Sequence, residues 1–258
     1  MSRLTRLILC CVAMSLGLVL AAAPAMATTV SISDLYWGGT PGTYGGGQVP
    51  SAATGKDVIG VSAYDIQGMD VTQTGSTLTV KVRTNYVNDG STNGWIPYGD
   101  LLLSTSGWHP YTTAGCGAEQ FYACDTLANT GTIWDYAVDT SSGGLYAISK
   151  ANLVTTDAAF GASNGGTYRT GQATLINGGL LVGAASVDAS HAGTGGYLVY
   201  TIDASAMGPL SRLALQWNML CGNDTMQGEV VLPEPSTATL LGAGLLALLG
   251  FRRRRALR

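Results

Sequence analysis

The chain has 258 residues, 46% of them hydrophobic and 11% charged, with a formal net charge of −3. That charge is unevenly spread: residues 28–232 hold six Lys or Arg against fifteen Asp or Glu, a net of about −9, and seven arginines lie in the two ends. So acidic a body excludes a nucleic-acid partner, because phosphate binding needs a basic surface; it suits solubility outside the cell, or divalent cations.

At the N-terminus, Arg3 and Arg6 precede an apolar run over residues 7–20, and Ala25-Met26-Ala27 offers the small residues a signal peptidase reads. This is the pattern of a secretory signal peptide, removed after Ala27 once the Sec machinery has exported the chain. A short apolar run ending at once in small residues argues against a permanent N-terminal anchor. Cys10 and Cys11 lie inside the run and leave with it.

Between the ends lie 205 residues, enough for one domain with a substantial core. "STLTVKVRTNY" alternates strictly: Leu78, Val80, Val82, Thr84 and Tyr86 share one face, and Thr79, Lys81, Arg83 and Asn85 the other. That period of two marks a half-buried antiparallel strand, and "MDVTQ" before the Thr-Gly-Ser turn makes it a hairpin. "TIWDYAVDT" and "LYAIS" are further strands. "ATLI" and "LLVGAASV", joined by Asn177-Gly178-Gly179, read as a second hairpin, since Asn-Gly supplies positive φ for a tight turn. "GYLVYTIDA" follows, and then "SRLALQWNML", with Leu213, Leu215, Trp217 and Met219 on one face.

Glycine accounts for 32 of the 205 residues and clusters between apolar runs as turn punctuation. No apolar run of the body keeps a helical period. The expected fold is an all-β antiparallel β-sandwich, jelly-roll-like, of eight or more strands, with a closed barrel as the alternative. The expected divisions are 1–27, 28–232 and 233–258.

Motifs for chemistry are scarce. His109 sits in "GWHPY" and His191 in a Gly-rich turn, with no Gly-x-Ser-x-Gly elbow to anchor a Ser-His-Asp triad. Neither a His-Glu-x-x-His helix nor a Cys-x-x-Cys pair is present for zinc. In "SAATGKD", Pro50 stands where a P-loop needs its first glycine and Asp57 replaces Ser/Thr. A glycosidase needs two facing carboxylates; many Asp residues are available, but most fall at strand ends or turns, where Asp satisfies backbone donors. A calcium site from turn oxygens is the one metal option, with Asp57, Asp100, Asn223 and Asp224 as candidates and no EF-hand spacing behind them. No cofactor is expected.

Aromatic residues in polar loops give another lead. Trp37, Trp95, Trp108 and Tyr111 are candidate glycan contacts, since an exposed ring can stack on the apolar face of a sugar; the rival role is as core plugs at the ends of the fold. Three cysteines remain in the exported part. A local bridge between Cys116 and Cys124 in "AGCGAEQFYACD" would staple a loop and leave Cys221 spare; pairing of Cys221 with either is the rival.

At the C-terminus, residues 237–251 are almost wholly apolar. At about 1.5 Å rise per residue such a helix reaches little over ~20 Å, against a hydrocarbon core of about 30 Å. It is a marginal span, held with Arg252, Arg253, Arg254 and Arg255 on the cytoplasmic side.

Pro233-Glu234-Pro235, then this span, then the arginines, resembles the PEP-CTERM sorting signal of Gram-negative bacteria. In that family a membrane-embedded exosortase recognises the Pro-Glu-Pro and cleaves near it, releasing or transferring the cargo. The body also resembles a recurring unit of PEP-CTERM proteins, through "DLYWGG" (34–39), "DVIG" (57–60), "IQGMDV" (66–71), "YGDLLLST" (98–105), "GTYRTGQ" (166–172) and "LQWNMLCGNDTMQGEV" (215–230). A cysteine in the Cys-Gly-Asn-Asp element belongs to that pattern. The segment holding Cys116 and Cys124 departs from it, which favours pairing those two.

The expected protein is therefore an exported, exosortase-processed component of the cell surface or extracellular matrix. It has no catalytic activity and associates with exopolysaccharide or biofilm. Its precursor is tethered to the inner membrane by the C-terminal helix. The alternatives are a secreted carbohydrate-binding module using the loop aromatics and, third, a secreted hydrolase.

Overall fold

Leu78, Val80 and Val82 are fully buried, and Thr79, Lys81 and Arg83 between them turn to the other face. The alternation builds β3 (Thr77–Thr84), paired antiparallel with β2 (Ile66–Thr74) across Gly75 and Ser76 in the hairpin that the sequence predicts. The computed structural model describes residues 27–36, 38, 58–91, 94–112, 122, 124–161, 164, 168–232 and 244. Thr28–Leu232 form one compact unit. Its other strands, among the described residues, are β1 (Thr28–Ser33), β4 (Leu101–Ser104), β5 (Tyr136–Asp139), β6 (Gly144–Ala147), β7 (Leu153–Thr155), β8 (Ala173–Ile176), β9 (Leu180–His191), β10 (Gly196–Asp203), β11 (Arg212–Asn218) and β12 (Thr225–Val231).

Ten strands form one antiparallel sheet in the order β1-β2-β3-β10-β9-β6-β5-β4-β11-β12. β9 is the joint. Its first residues pair with β6 and its later ones with β10, so one long strand carries the sheet from one half to the other. The sheet curls until its edge strands β1 and β12 lie against each other. At Gly228 on β12 an added Cβ would come within 2.5 Å of Ile32 Cγ2 on β1, so the edges approach this closely because position 228 has no side chain. The result is an all-β sheet nearly closed into a barrel. Its two halves, β1-β2-β3-β10 and β6-β5-β4-β11-β12, share β9.

Both halves contribute to one core. Val71, Val80 and Leu198 on one side meet Leu103, Leu215 and Trp217 on the other. Trp217 keeps its indole N–H satisfied inside this apolar volume by donating to Tyr200 Oη at 2.7 Å. Thr28 pairs with Gln73 near the β2–β3 turn, and Ser76 of that turn accepts the Ala204 N–H in the β10–β11 link. Leu232 bonds to Ser211 in the same link. The first and last residues of the unit therefore emerge at one end.

Alternation alone would expose the second face of β11. Instead Ala214, Gln216 and Asn218 are buried too. A second layer covers them: the two-stranded sheet of β7 and β8, together with Trp134 and the half-buried Trp108, Leu127 and Ile148. Polar bonds fix the layer in place. Gln216 Nε2 and Asn218 Nδ2 both donate to Ala173 O, and Gln227 Nε2 donates to Gln216 Oε1 at 2.7 Å.

The hairpin expected between β8 and β9 is not formed. Gly178 and Gly179 do take positive φ, 80° and 127°. However, β8 pairs with β7, while β9 pairs with β6 and β10. The turn's neighbours are held elsewhere: the Asn177 N–H donates to Asn152 O at 2.7 Å, and Ile176 N–H to Asp100 Oδ2 at 2.8 Å. The turn therefore passes the chain from the covering layer into the main sheet. The strand expected from Thr132 starts only at Tyr136, because Asp135 turns its carboxylate to the Thr105 N–H and hydroxyl.

Asp100 pins the covering layer. Its N–H donates to Thr174 O at 2.8 Å, and its Oδ1 accepts the Thr140 N–H at 2.9 Å. Burial pushes its carboxyl from the usual 3.8 up to about 6; the Thr140 and Ile176 donors oppose this, and the Asp139 charge adds to it. A carboxyl raised on folding contributes stability that is complete below its unfolded value and is lost as pH rises through its folded value. Two units correspond to roughly 3 kcal/mol. Asp100→Asn keeps only one acceptor and so starts less stable. Urea unfolding of residues 28–232 should nevertheless show the wild type losing stability relative to this variant between about pH 4 and 7. Parallel pH profiles would contradict the assignment.

Candidate functional site

The stretches named above from distant parts of the chain meet around one buried cation. Arg169, just ahead of β8, is wholly buried. Its Nε donates to Gly222 O at 2.9 Å, Nη1 to Gly38 O at 2.6 Å and Nη2 to Asn223 O at 3.5 Å. Its backbone N–H donates to Cys221 O at 2.9 Å, and its carbonyl accepts the Thr156 hydroxyl. The Cys221–Asp224 turn turns its carbonyls toward the guanidinium because Gly222 has φ 59°, a conformation glycine adopts without strain.

The same turn holds the chain before β2. Asn223 O accepts the Ile59 N–H at 2.7 Å, and Asp224 accepts the N–H groups of Ile66 at 2.6 Å and Thr225 at 2.8 Å. A second buried group adjoins it. Tyr36 donates its hydroxyl to Asp125 Oδ2 at 2.8 Å, Tyr111 N–H donates to Asp125 Oδ1 at 2.7 Å, and Gln172 Nε2 to Asp125 O at 2.7 Å. Burial raises the Tyr36 phenol well above its ordinary value, and the Asp125 charge adds to this. Burial also raises Asp125, against the donors Tyr111 and Tyr36. Burial pushes the Cys221 thiol up to about 12, which leaves it inert as a nucleophile. These donors and acceptors face one another and not solvent. The arrangement fastens segments together.

Sequence reasoning missed Arg169 and Asp125. The available signal was scarcity: Arg169 is one of six cations in residues 28–232, and it sits in a Gly/Thr run without strand alternation.

A cleft of about 460 Å³ opens beside Tyr98, Asp100, Asp139, Ser141, Ile176 and Leu220. Asp139 Oδ1 accepts the Ser141 N–H and hydroxyl and the Ser142 N–H. Partial burial pushes this carboxyl up, but the Ser141 and Ser142 donors outweigh it and hold Asp139 below the ordinary range. Two carboxyl groups displaced in opposite directions in one cleft is an acid–base pattern. Against it, both oxygens of Asp100 already accept backbone N–H groups.

Of the calcium candidates, Asp100 and Asp224 spend their carboxylates on backbone donors, Asn223 gives its backbone carbonyl to Ile59 while its side-chain Oδ1 is buried without a hydrogen-bond partner among the described residues, and Asp57 lies outside them. Among the described residues no group of three or more His, Cys, Asp or Glu is placed to hold a metal.

The four aromatic candidates separate. Trp95 is 47% exposed and rests on Phe160, ring centroids 5.6 Å apart; Tyr111 is 37% exposed. Trp108 is half-buried: its indole N–H donates to Gln227 at 3.0 Å, its backbone N–H to Glu229 at 2.9 Å, and its ring packs edge-on against Tyr36 and Tyr122. Trp37 lies outside the described residues. His191 stacks on Tyr197, and His109 Nε2 lies 3.3 Å from Ser106 O. Cys221 is a free thiol, whereas Cys124 is disulfide-bonded; Cys116 lies outside the described residues.

Of the terminal sites, Ala27 is exposed directly before β1, while Ala25, Pro233, Glu234, Pro235 and the arginines Arg252, Arg253, Arg254 and Arg255 lie outside the described residues. Among the described residues no helix is long and apolar enough to cross a membrane. Leu232 is buried, and its N–H donates to Ser211 O at 2.9 Å, so the fold holds the chain up to the residue before Pro233.

Comparison with known proteins finds similarity in that last segment. No curated protein and no solved structure matches the chain. Residues 231–255 match the family model of the PEP-CTERM protein-sorting motif. The matched region runs from the final residue of β12 through Pro-Glu-Pro and the apolar stretch to the arginine cluster. The chain thus carries over residues 231–255 the PEP-CTERM protein-sorting motif, consistent with an exosortase-dependent sorted protein.

Proposed function

We propose that this is an exported, exosortase-processed protein of the cell surface or extracellular matrix, without catalytic activity of its own. The observation that carries the reading is the sorting motif at residues 231–255, joined without a linker to a folded acidic domain. In this reading signal peptidase removes residues 1–27 after Sec export. The apolar stretch then tethers the precursor in the inner membrane, with the arginines on the cytoplasmic side, and exosortase cuts near Pro233-Glu234-Pro235. Cys116 bridges Cys124 in the oxidising compartment. In fold terms the domain is a jelly-roll-like sandwich whose halves share β9. Its association is with exopolysaccharide or biofilm. That the Arg169 guanidinium and the Asp125 and Asp224 carboxylates are bonded within the domain supports a structural cargo over an enzyme.

Glu234→Ala should leave full-length precursor in the membrane with its domain still folded. Intact-mass measurement on wild-type and exosortase-deleted cells checks this; arginines 252–255 found on the mature wild-type protein would refute the sorting reading.

A second reading, a carbohydrate-binding module, is favoured by the exposed ring of Trp95, two residues before Pro97 in the wall of the cleft. Tyr98 supplies an aromatic face there and Asp139 and Ser141 supply hydroxyl-binding groups. Purified residues 28–232 should then be retained on the producer's exopolysaccharide, and Trp95→Ala should weaken retention several-fold with an unchanged melting temperature. Unretained wild type removes this reading. Polysaccharide turnover abolished by Asp139→Asn would instead put the hydrolase reading first.

A further inference from the structure

The sorting motif and the fold share residues. The family match begins at Val231, the last residue of β12, and Leu232 beside it is 2% exposed with its N–H bonded to Ser211 O. Val230 is 1% exposed and stands opposite Leu213 in the ladder. Pro233 follows at once. It has no N–H, so Leu232 is, among the described residues, the last before Thr237 whose N–H the domain holds. On the far side the apolar stretch starts at Thr237, leaving Pro233, Glu234, Pro235 and Ser236 between. Five Cα steps reach at most roughly 17 Å.

A processing enzyme must seat the backbone on both sides of the bond it cuts. Leu232 cannot enter such a groove while its side chain is packed in the core and its N–H is bonded within the domain. The bonds left to an enzyme that needs a free backbone are therefore those C-terminal to Leu232.

We propose that Leu232 is a positioning residue for sorting. Docked in the core, it sets the N-terminal limit of the cleavable stretch, so the cut falls within Pro233-Glu234-Pro235-Ser236 and the domain restrains access to it. One peptide bond breaks, its acyl carbon passing to water or to an acceptor nucleophile while the amino group leaves with the tail. The proposal rests on the reading of the tail as a processed signal.

The test uses the full chain in its producing cell. Three forms are compared: wild type, Leu232→Ala, and a form with a flexible Gly-Ser spacer between Leu232 and Pro233. Pulse-chase labelling reads the processing half-time and intact mass reads the new C-terminus. The spacer should shorten the half-time several-fold, and the released chain should keep the spacer. Leu232→Ala, which loosens the anchor, should also speed processing, and the melting temperature of its purified domain shows that it still folds. A wild-type product ending at or before Leu232 would overturn the proposal. A half-time that neither change moves would overturn it too. A tail retained whole in wild type would overturn the sorting reading and this proposal with it, a different result from a misplaced cut.

Discussion

A guanidinium can be taken out of water only if its N–H donors find acceptors, and Arg169 finds carbonyls from three separate positions, Gly38, Gly222 and Asn223. Meeting that requirement brings together the chain after β1, the turn between β11 and β12 and the segment before β8. The Cys221–Asp224 turn then passes the constraint on, through Asn223 O to Ile59 and through the Asp224 carboxylate to Ile66 at the start of β2. Among the described residues no ladder pairs β1 with β12, so the seam of the curled sheet needs such a fastening.

This fastening gives the segments that meet around Arg169 a physical meaning. They are separated in sequence and adjacent in space, and the Arg169 guanidinium, the Tyr36 hydroxyl and the Asp224 carboxylate bind them to one another or to their neighbours. A domain built this way presents few buried groups for chemistry. Among the described residues, the cleft beside Asp139 and the ring of Trp95 offer polar and aromatic surface.

Legibility followed the range of the interactions involved. β3 could be read because Leu78, Val80 and Val82 alternate with polar residues and a local turn sets the partner. β11 could be read only on one face: Gln216 and Asn218 look like solvent-facing residues, and nothing local announces that Ala173 covers them. Asn177-Gly178-Gly179 encodes positive φ but not a partner, so the turn was visible and the pairing was not. Arg169 depends on contacts with positions 38, 222 and 223, which no window of sequence contains. The sorting signal was legible for the opposite reason, being a linear motif in which order along the chain is the information.

The buried Arg169 holds these segments together as a structural fastening. Amide exchange combined with chemical unfolding of residues 28–232, in the wild type and in Arg169→Ala, tests this role. Truncation strands the carbonyls of Gly38 and Gly222, at about 1–3 kcal/mol each. It should also release together the slow amides of Ile59, Ile66 and Gly222, which bond to or within the Cys221–Asp224 turn or its immediate neighbours. Stability within about 0.5 kcal/mol of wild type, with those amides still protected, would contradict the account.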